Sequence, residues 1–148
     1  MQVILIAAIT LDGFIARTSD EGVTWSKDLK LFKKQTMGYP VIMGSNTAQT
    51  LAVELEGREK IIVHRHDVPQ HVLSKIQAKK CFVIGGGMTN TKFASYLTHL
   101  YLSPHPIIFG KGIRLFSDEN INLRLKFIRK IKISKVKGIY QFQYKVLV

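Results

Sequence analysis

Shortages in the composition already exclude several classes of protein. Cys81 is the only cysteine, which excludes a disulfide framework and a cysteine-based metal site. No apolar run is long enough to cross a bilayer. The first apolar segment is followed at once by turn and polar residues, unlike a secretory signal. We therefore expect a cytoplasmic protein without a membrane partner.

Acidic residues are also scarce. The chain has 10 of them against 22 lysines and arginines, which gives a formal net charge of +12. Such a surplus favours anionic partners, either nucleic acid or phosphorylated small molecules. Lysines on a solvated surface explain the same numbers, and we expect no nucleic-acid partner. The length of 148 residues fits one domain, residues 1–148, with a sizeable core.

Short apolar runs alternate with amphipathic segments along the chain. Strands are predicted at residues 3–9, 40–44, 60–63, 81–84 and 100–102, and helices at 25–35, 45–51, 68–78 and 88–96. The tail alternates apolar and polar residues, which predicts an antiparallel hairpin with Tyr140, Phe142 and Tyr144 on its dry face. The fold class is therefore α/β, a single domain whose mostly parallel central sheet has flanking helices and a C-terminal antiparallel hairpin.

Two of the predicted strands end in glycine directly before a helix, at Ile84-Gly85-Gly86-Gly87 and at Gly44-Ser45-Asn46-Thr47. Glycine lets another group approach the backbone, and the start of a helix offers unpaired N–H groups to a phosphate. Tight packing of a strand against a helix also calls for glycine. The absence of Gly-x-Gly-x-x-Gly after the first strand disfavours an ordinary Rossmann fold. A ligand site is expected where both glycine-ended strands finish.

Asp28 is the candidate catalytic carboxylate. Ser26 is predicted to cap the helix, which places Asp28 in its first turn, one helical turn from Phe32 and just after Trp25. An apolar setting would raise the pKa of the carboxyl and suit it to hold or relay a proton on a heterocycle. A solvated first-turn aspartate is the alternative. Near His64 no set of metal ligands is evident, so no metal is predicted.

Taken in order, these segments resemble the dihydrofolate reductase superfamily over nearly the whole chain. The matching stretches are residues 6–8, 11–16, 25–33, 40–47, 57–58, 83–87 and 100–102. Residues 106–116, together with Leu11-Asp12-Gly13, are similar to the reductase domain of bifunctional riboflavin-biosynthesis proteins and to its small stand-alone relatives. The resemblance implies a dihydrofolate-reductase-like fold and an NADPH-dependent oxidoreductase, in which the cofactor carries the hydride.

The resemblance also implies which residues bind the cofactor. They are Ala8, Ile9, Phe14, Gly44, Ser45, Asn46, Thr47, His64, Arg65, Ile84, Gly85, Gly86, Gly87, Met88 and Thr89. The family's usual arginine after Gly44 is Ser45 here, and Met88 stands where a basic residue is common. The choice between NADPH and NADH therefore stays open, with His64 and Arg65 as candidate replacements.

For the substrate the resemblance points in two directions. Asp28 matches the carboxylate that binds a pterin, Arg58 matches the arginine that clamps the glutamate tail of folate, and Trp25 and Phe32 would contact the same substrate. Asp12, the second candidate catalytic residue, would shape the loop over the heterocycle. A riboflavin-type reductase would instead take a ribosylated aminopyrimidine phosphate. Its phosphate would be met by Lys111 or Arg114.

We favour the aminopyrimidine reductase of riboflavin biosynthesis from the sequence, with a dihydrofolate reductase of folate metabolism as the alternative. A non-catalytic dinucleotide-binding module is the alternative of another class. Riboflavin-type relatives are commonly dimers, which implies a homodimer.

Overall fold

The computed structural model describes residues 1–22, 24–50 and 55–148. Its elements are β1 (Gln2–Thr10), β2 (Phe14–Ala16), α1 (Leu29–Thr36), β3 (Val41–Gly44), α2 (Ser45–Thr50), β4 (Lys60–Val63), α3 (Pro69–Ser74), β5 (Lys80–Val83), α4 (Gly87–Phe93), a 3-10 turn (Ala94–Tyr96), β6 (His99–His105), β7 (Ile113–Arg114), β8 (Arg124–Ser134) and β9 (Ile139–Leu147). The predicted alternation of strands and helices is confirmed.

One seven-stranded sheet organises the chain, in the order β4-β3-β5-β1-β6-β9-β8. The strands from β4 to β6 in this order are parallel to one another. Strand β9 pairs antiparallel with β6 and with β8, which confirms the predicted fold class. The short sheet of β2 and β7 was not predicted. It forms where Gly112 passes so close to Ala16 that a side chain would contact the Ala16 carbonyl oxygen.

Both faces of the parallel strands are covered, because apolar side chains of β1 point alternately to two clusters. Leu5 packs with Val83 and Phe93 on the face of α3 and α4. Ile4 packs with Phe82 on the face of α1, where Phe32 joins them. A strand buried on both sides reads as a continuous apolar run, which is why β1 was recognisable in the sequence.

Several predicted boundaries were wrong. Helix α1 begins at Leu29, so Ser26 does not cap it and Asp28 is the N-cap residue rather than a first-turn residue. Helix α3 ends at Ser74, four residues earlier than predicted, whereas the predicted end of α2 at Leu51 lies outside the described residues. Strand β6 continues to His105, because its pairing with β1 runs to that residue. Its pairing with β9 ends at Leu102, so the missing N–H of Pro104 breaks no bond to β9.

The predicted faces of the C-terminal hairpin were also wrong. In β9 the buried side chains include Gln141 and Gln143, whereas Tyr140, Phe142 and Tyr144 are only half-buried. The buried glutamines bond to each other, to α1 and to β8, so their polar atoms have partners inside the fold. Because Gln141 and Gln143 are polar, the sequence pattern predicted the wrong buried face for β9.

Within the described ranges no helix has the length and apolarity that a membrane crossing requires.

Candidate functional site

A cavity of about 550 Å³ opens where β1, β3, β4 and β5 end, between α1 and the two glycine turns. Its volume is in the range of small-molecule sites. It brings together fifteen of the predicted site residues: Ala8, Asp28, Phe32, Gly44, Ser45, Asn46, Thr47, His64, Arg65, Ile84, Gly85, Gly86, Gly87, Met88 and Thr89. Parallel strands place their carboxyl ends at one edge of a sheet, so residues distant in sequence meet there.

Other predicted contacts are not brought together, since Ile9, Phe14, Trp25, Arg58 and Asp12 do not line this cavity. Phe14 is buried, with the Arg114 guanidinium 5.1 Å from its ring centre. Trp25 packs edge-on against His105, with ring centres 5.2 Å apart, and against Phe109 at 5.6 Å. Contacts of these residues with ligands stay predictions.

Arg58 is buried beside α1. Its Nη1 donates to the hydroxyl of Thr36 and its Nε donates to the carbonyl oxygen of Glu56, both at 3.3 Å. The bond to Thr36 connects Arg58 to α1, whose N-cap residue is Asp28.

The two glycine turns pack against each other. The N–H of Gly44 donates to the carbonyl oxygen of Gly85 at 2.9 Å. A Cβ on Gly44 would lie 2.7 Å from Thr89 Oγ1, and one on Gly87 would lie 2.7 Å from the carbonyl oxygen of Arg114. Gly85 has a φ of +111°, which favours glycine, and its peptide bond to Gly86 is cis. Glycine is therefore needed here for packing, and it also bares the backbone toward the cavity.

Asp28 lies at the wall of the cavity and is only 6% exposed. Burial raises the pKa of its carboxyl, while His105 and the hydroxyls of Ser103 and Ser26 act in the opposite direction. Only a charged His105 ring would lower the pKa of Asp28 in this way, but Nε2 of His105 accepts the Lys27 N–H at 2.9 Å. A ring that accepts at this atom is neutral, so burial dominates and the predicted rise in pKa is confirmed.

Ser103 faces Asp28 without reaching it in hydrogen-bonding geometry. Its Oγ is buried and has no hydrogen-bond partner among the described residues. Ser103 does not line the cavity, so its hydroxyl acts on the carboxyl of Asp28 rather than on a ligand.

Asp12 connects the turn after β1 to the loop before β7. Its carboxylate accepts from the Thr10 hydroxyl at 2.6 Å and from the N–H groups of Phe109 and Gly110 at 3.2 and 2.8 Å. The bond from Thr10 is the main reason that the pKa of Asp12 is lowered. An ionised carboxylate with three donors holds a loop in place.

Lys92 is a cavity residue that the sequence reading missed. Its Nζ donates to the carbonyl oxygens of His64, Arg65 and Asp67 at 2.9, 2.8 and 2.8 Å. The ammonium thus fixes the loop after β4 and places a positive charge at that end of the cavity. Its position four residues after Met88 on α4 was the available signal, since residues at that spacing share a helix face.

The loop after β2 forms one wall of the cavity through Thr18, Ser19 and Glu21, and none of these three residues was a predicted site residue. Arg17 connects this loop to the segment before β7. Its guanidinium donates to Glu21 at 3.3 Å and lies 4.1 Å from the ring centre of Phe109. The contact with Phe109 joins segments far apart in the chain, so nothing in the local sequence indicates it. Across the described part of the chain, no group of three or more His, Cys, Asp or Glu side chains could hold a metal ion.

Comparison with known proteins identifies the family. The family model "Dihydrofolate reductase" matches residues 2–105. Dihydrofolate reductase type 3 of Salmonella typhimurium is 29% identical over 117 residues, which cover 70% of this chain and 71% of that protein. Dihydrofolate reductase of Bacillus subtilis (strain 168) is 28% identical over 110 residues, 66% of each chain. Dihydrofolate reductase type 8 of Escherichia coli is 44% identical over 63 residues, which are 40% of this chain and 36% of that one.

Among solved structures, a riboflavin biosynthesis protein from Shewanella sp. PV-4 covers 100% of both chains with a TM-score of 0.66. At 18% identity this likeness shows the fold alone. The family match includes Asp28 and both glycine turns, which form the cavity described above. This chain therefore belongs to the dihydrofolate reductase family of oxidoreductases.

Proposed function

We propose that this protein is an NADPH-dependent reductase of a pterin-type substrate, with dihydrofolate as the first candidate. The observation that carries the proposal is Asp28, a buried carboxyl with a raised pKa at the wall of the cavity that both glycine turns also line. A carboxyl in such a setting binds the polar edge of a heterocycle while Phe32 contacts its apolar face. Perturbed carboxyls in clefts are typical of proton-transfer sites.

The reaction needs a hydride and a proton. When bound, a reduced nicotinamide supplies the hydride to the carbon of a C=N bond. The Asp28 carboxyl accepts hydrogen bonds from N–H groups of the heterocycle, which orients the ring. It also holds a proton for the nitrogen of the reduced bond. The buried hydroxyl of Ser103 lies beside this carboxyl and acts on it rather than on the substrate. Asp12, which lies outside the cavity, acts in this proposal by holding the loop of Phe109 and Gly110.

The chain's residues fit a dinucleotide phosphate. Gly44 and Gly85 leave no side chain between the backbone and the cavity, so phosphates approach closely there. At the far end of the cavity lie Arg65, His64 and the fixed ammonium of Lys92. Arg65 and Lys92 supply the positive charge that the 2′-phosphate of NADPH requires and that Ser45 and Met88 do not supply. We therefore propose NADPH rather than NADH.

An aminopyrimidine reductase is the second candidate. Its support is the similarity of residues 106–116 to riboflavin-type reductases and the whole-chain likeness to a protein described by that pathway. We rank it second because Lys111 and Arg114, the predicted phosphate contacts, do not line the cavity, whereas Asp28 does.

Oxidation of NADPH by the purified chain, followed by absorbance, decides between the candidates. Dihydrofolate and the ribosylated aminopyrimidine phosphate are supplied in separate reactions, each with wild-type protein and with Asp28→Asn. Turnover of dihydrofolate that Asp28→Asn abolishes supports the first candidate. Turnover of the aminopyrimidine alone reverses the ranking, and NADPH binding without any turnover favours a non-catalytic module.

A further inference from the structure

His105 is the last residue of β6 and is buried against the segment that leads to Asp28. It is 1% exposed, and Pro104 and Pro106 flank it in the sequence. The edge of Trp25 packs against its ring at 5.2 Å between centres. Since His105 does not line the cavity, any part that it takes in the reaction is played through its neighbours.

The hydrogen bonds of His105 define its tautomer. Its Nε2 lies 2.9 Å from the backbone nitrogen of Lys27, which only donates. Its Nδ1 lies 2.7 Å from the carbonyl oxygen of Ser103, which only accepts. The proton is therefore on Nδ1, and the ring is neutral with both nitrogens engaged.

We propose that His105 is a positioning residue that holds the Asp28 carboxyl beside the Ser103 hydroxyl; this inference rests on the proposed reductase function. The imidazole connects Lys27, the residue before Asp28, to Ser103, whose hydroxyl faces the carboxyl. Asp28 sits at the N-cap of α1, where its side chain makes no capping bond. The position of its carboxyl therefore depends on the segment that His105 attaches to the sheet.

Loss of this bridge is expected to affect turnover more than ligand binding. A misplacement of about 1 Å at a reacting group lowers a rate by up to ~10²-fold. The hydrogen bonds of His105 reach Lys27 and Ser103 and neither glycine turn, so cofactor affinity should persist. A residue that merely supports the fold would change the melting temperature and leave kcat of the folded protein unaltered.

Two substitutions separate these roles. In His105→Gln the side-chain oxygen takes the place of Nε2 as the acceptor for Lys27, so we expect kcat within about threefold of wild type. In His105→Leu the acceptor is lost, so we expect kcat to fall at least tenfold while KM for NADPH stays within about twofold. His99→Leu removes the histidine at the other end of β6 and is the matched control, with kcat unchanged. Thermal unfolding confirms that each variant is folded.

A readout without turnover keeps the inference separate from the proposed function. ¹⁵N NMR of the ring reports the tautomer, and ¹³C NMR of the Asp28 carboxyl reports its titration midpoint. We expect an Nδ1–H tautomer, and a midpoint that shifts in His105→Leu but not in His105→Gln. An Nε2–H ring, or equal midpoints and equal kcat in both variants, would overturn the inference. Absence of turnover with a midpoint that responds would overturn only the proposed function.

Discussion

At the residue scale, Asp28 should lower the stability of the folded protein at neutral pH while it supports turnover. Because burial raises its pKa, the folded state holds the proton more tightly than the unfolded chain. Stability therefore falls as pH rises from the ordinary value of 3.8 through the raised value, and the loss stays constant above both. We expect Asp28→Asn to unfold at a higher temperature than wild type at neutral pH. This advantage should disappear below both pKa values.

The same substitution should lower kcat by about 10²-fold or more, since positioned proton transfer contributes on this scale. Wild-type turnover should decline as pH rises through the raised pKa of Asp28, because the carboxyl then loses the proton that it holds for the substrate. Melting curves and pH–rate profiles measure both effects. Asp118→Asn, at an exposed turn, is the control and should change neither. An Asp28→Asn variant with full activity would exclude Asp28 from the mechanism.

Lys92 is expected to decide part of the cofactor preference. Lys92→Gln removes the ammonium from beside Arg65, so the ratio of KM for NADH to KM for NADPH should fall roughly five- to tenfold, the effect of a partly exposed charge pair of about 1 kcal/mol. Lys92→Arg keeps the charge and is the matched control. If both variants raise KM for the two cofactors equally, Lys92 serves only to hold the loop after β4.

At the scale of elements, the contact between β3 and α4 requires Gly44. Gly44→Ala would place a methyl group 2.7 Å from Thr89 Oγ1, and such overpacking costs about 1–3 kcal/mol. We expect lower thermal stability and a higher KM for NADPH. Adding Thr89→Ala removes the opposing atom and should restore most of the thermal stability. Failure of the double variant to recover would show that the strain lies elsewhere.

Helix α1 is attached to the hairpin by a reciprocal amide pair. Gln35 and Gln141 each donate to the other, at 2.7 and 2.9 Å, and Gln141 is fully buried. Gln35→Ala leaves the Gln141 amide without one partner, which should cost about 1–3 kcal/mol of unfolding free energy. The double variant Gln35→Ala/Gln141→Leu should cost less than the sum of the single changes, as a double-mutant cycle in denaturant would show.

For the whole molecule, the net charge of +12 should speed the capture of an anionic cofactor. Long-range attraction is screened by salt, so kcat/KM for NADPH should fall as ionic strength rises while kcat changes little. A neutral salt series measures this, with an uncharged osmolyte as the control for viscosity. An unchanged kcat/KM would show that the surplus charge lies away from the cavity.

The edge strand β8 carries part of that charge and is mostly exposed, including Phe127 at 52%. The predicted homodimer and the predicted absence of a nucleic-acid partner both stay predictions. Phe142 and Tyr144 on the neighbouring strand β9 are only half-buried, so they are no evidence against a nucleic-acid partner.

The sequence by itself determined the order of the main strands and helices, the parallel sheet and half of the cavity lining. A continuous apolar run such as β1 is a local signal of a strand covered on both faces. A glycine directly after a strand is a local signal of a backbone that another group approaches closely. Asp28 beside Phe32 was also a local signal, since both belong to one turn of the chain.

Only the tertiary structure decided which face of β9 is buried and how Lys92 and His105 act. Gln141 is buried because α1 offers it an amide partner, and Lys92 reaches carbonyl groups that lie 25 to 28 residues away in sequence. His105 meets Lys27 across 78 residues. A hydrogen bond between distant segments depends on how they pack, and the residue types alone do not encode it. The same packing removes Asp28 from water, so tertiary structure sets its pKa.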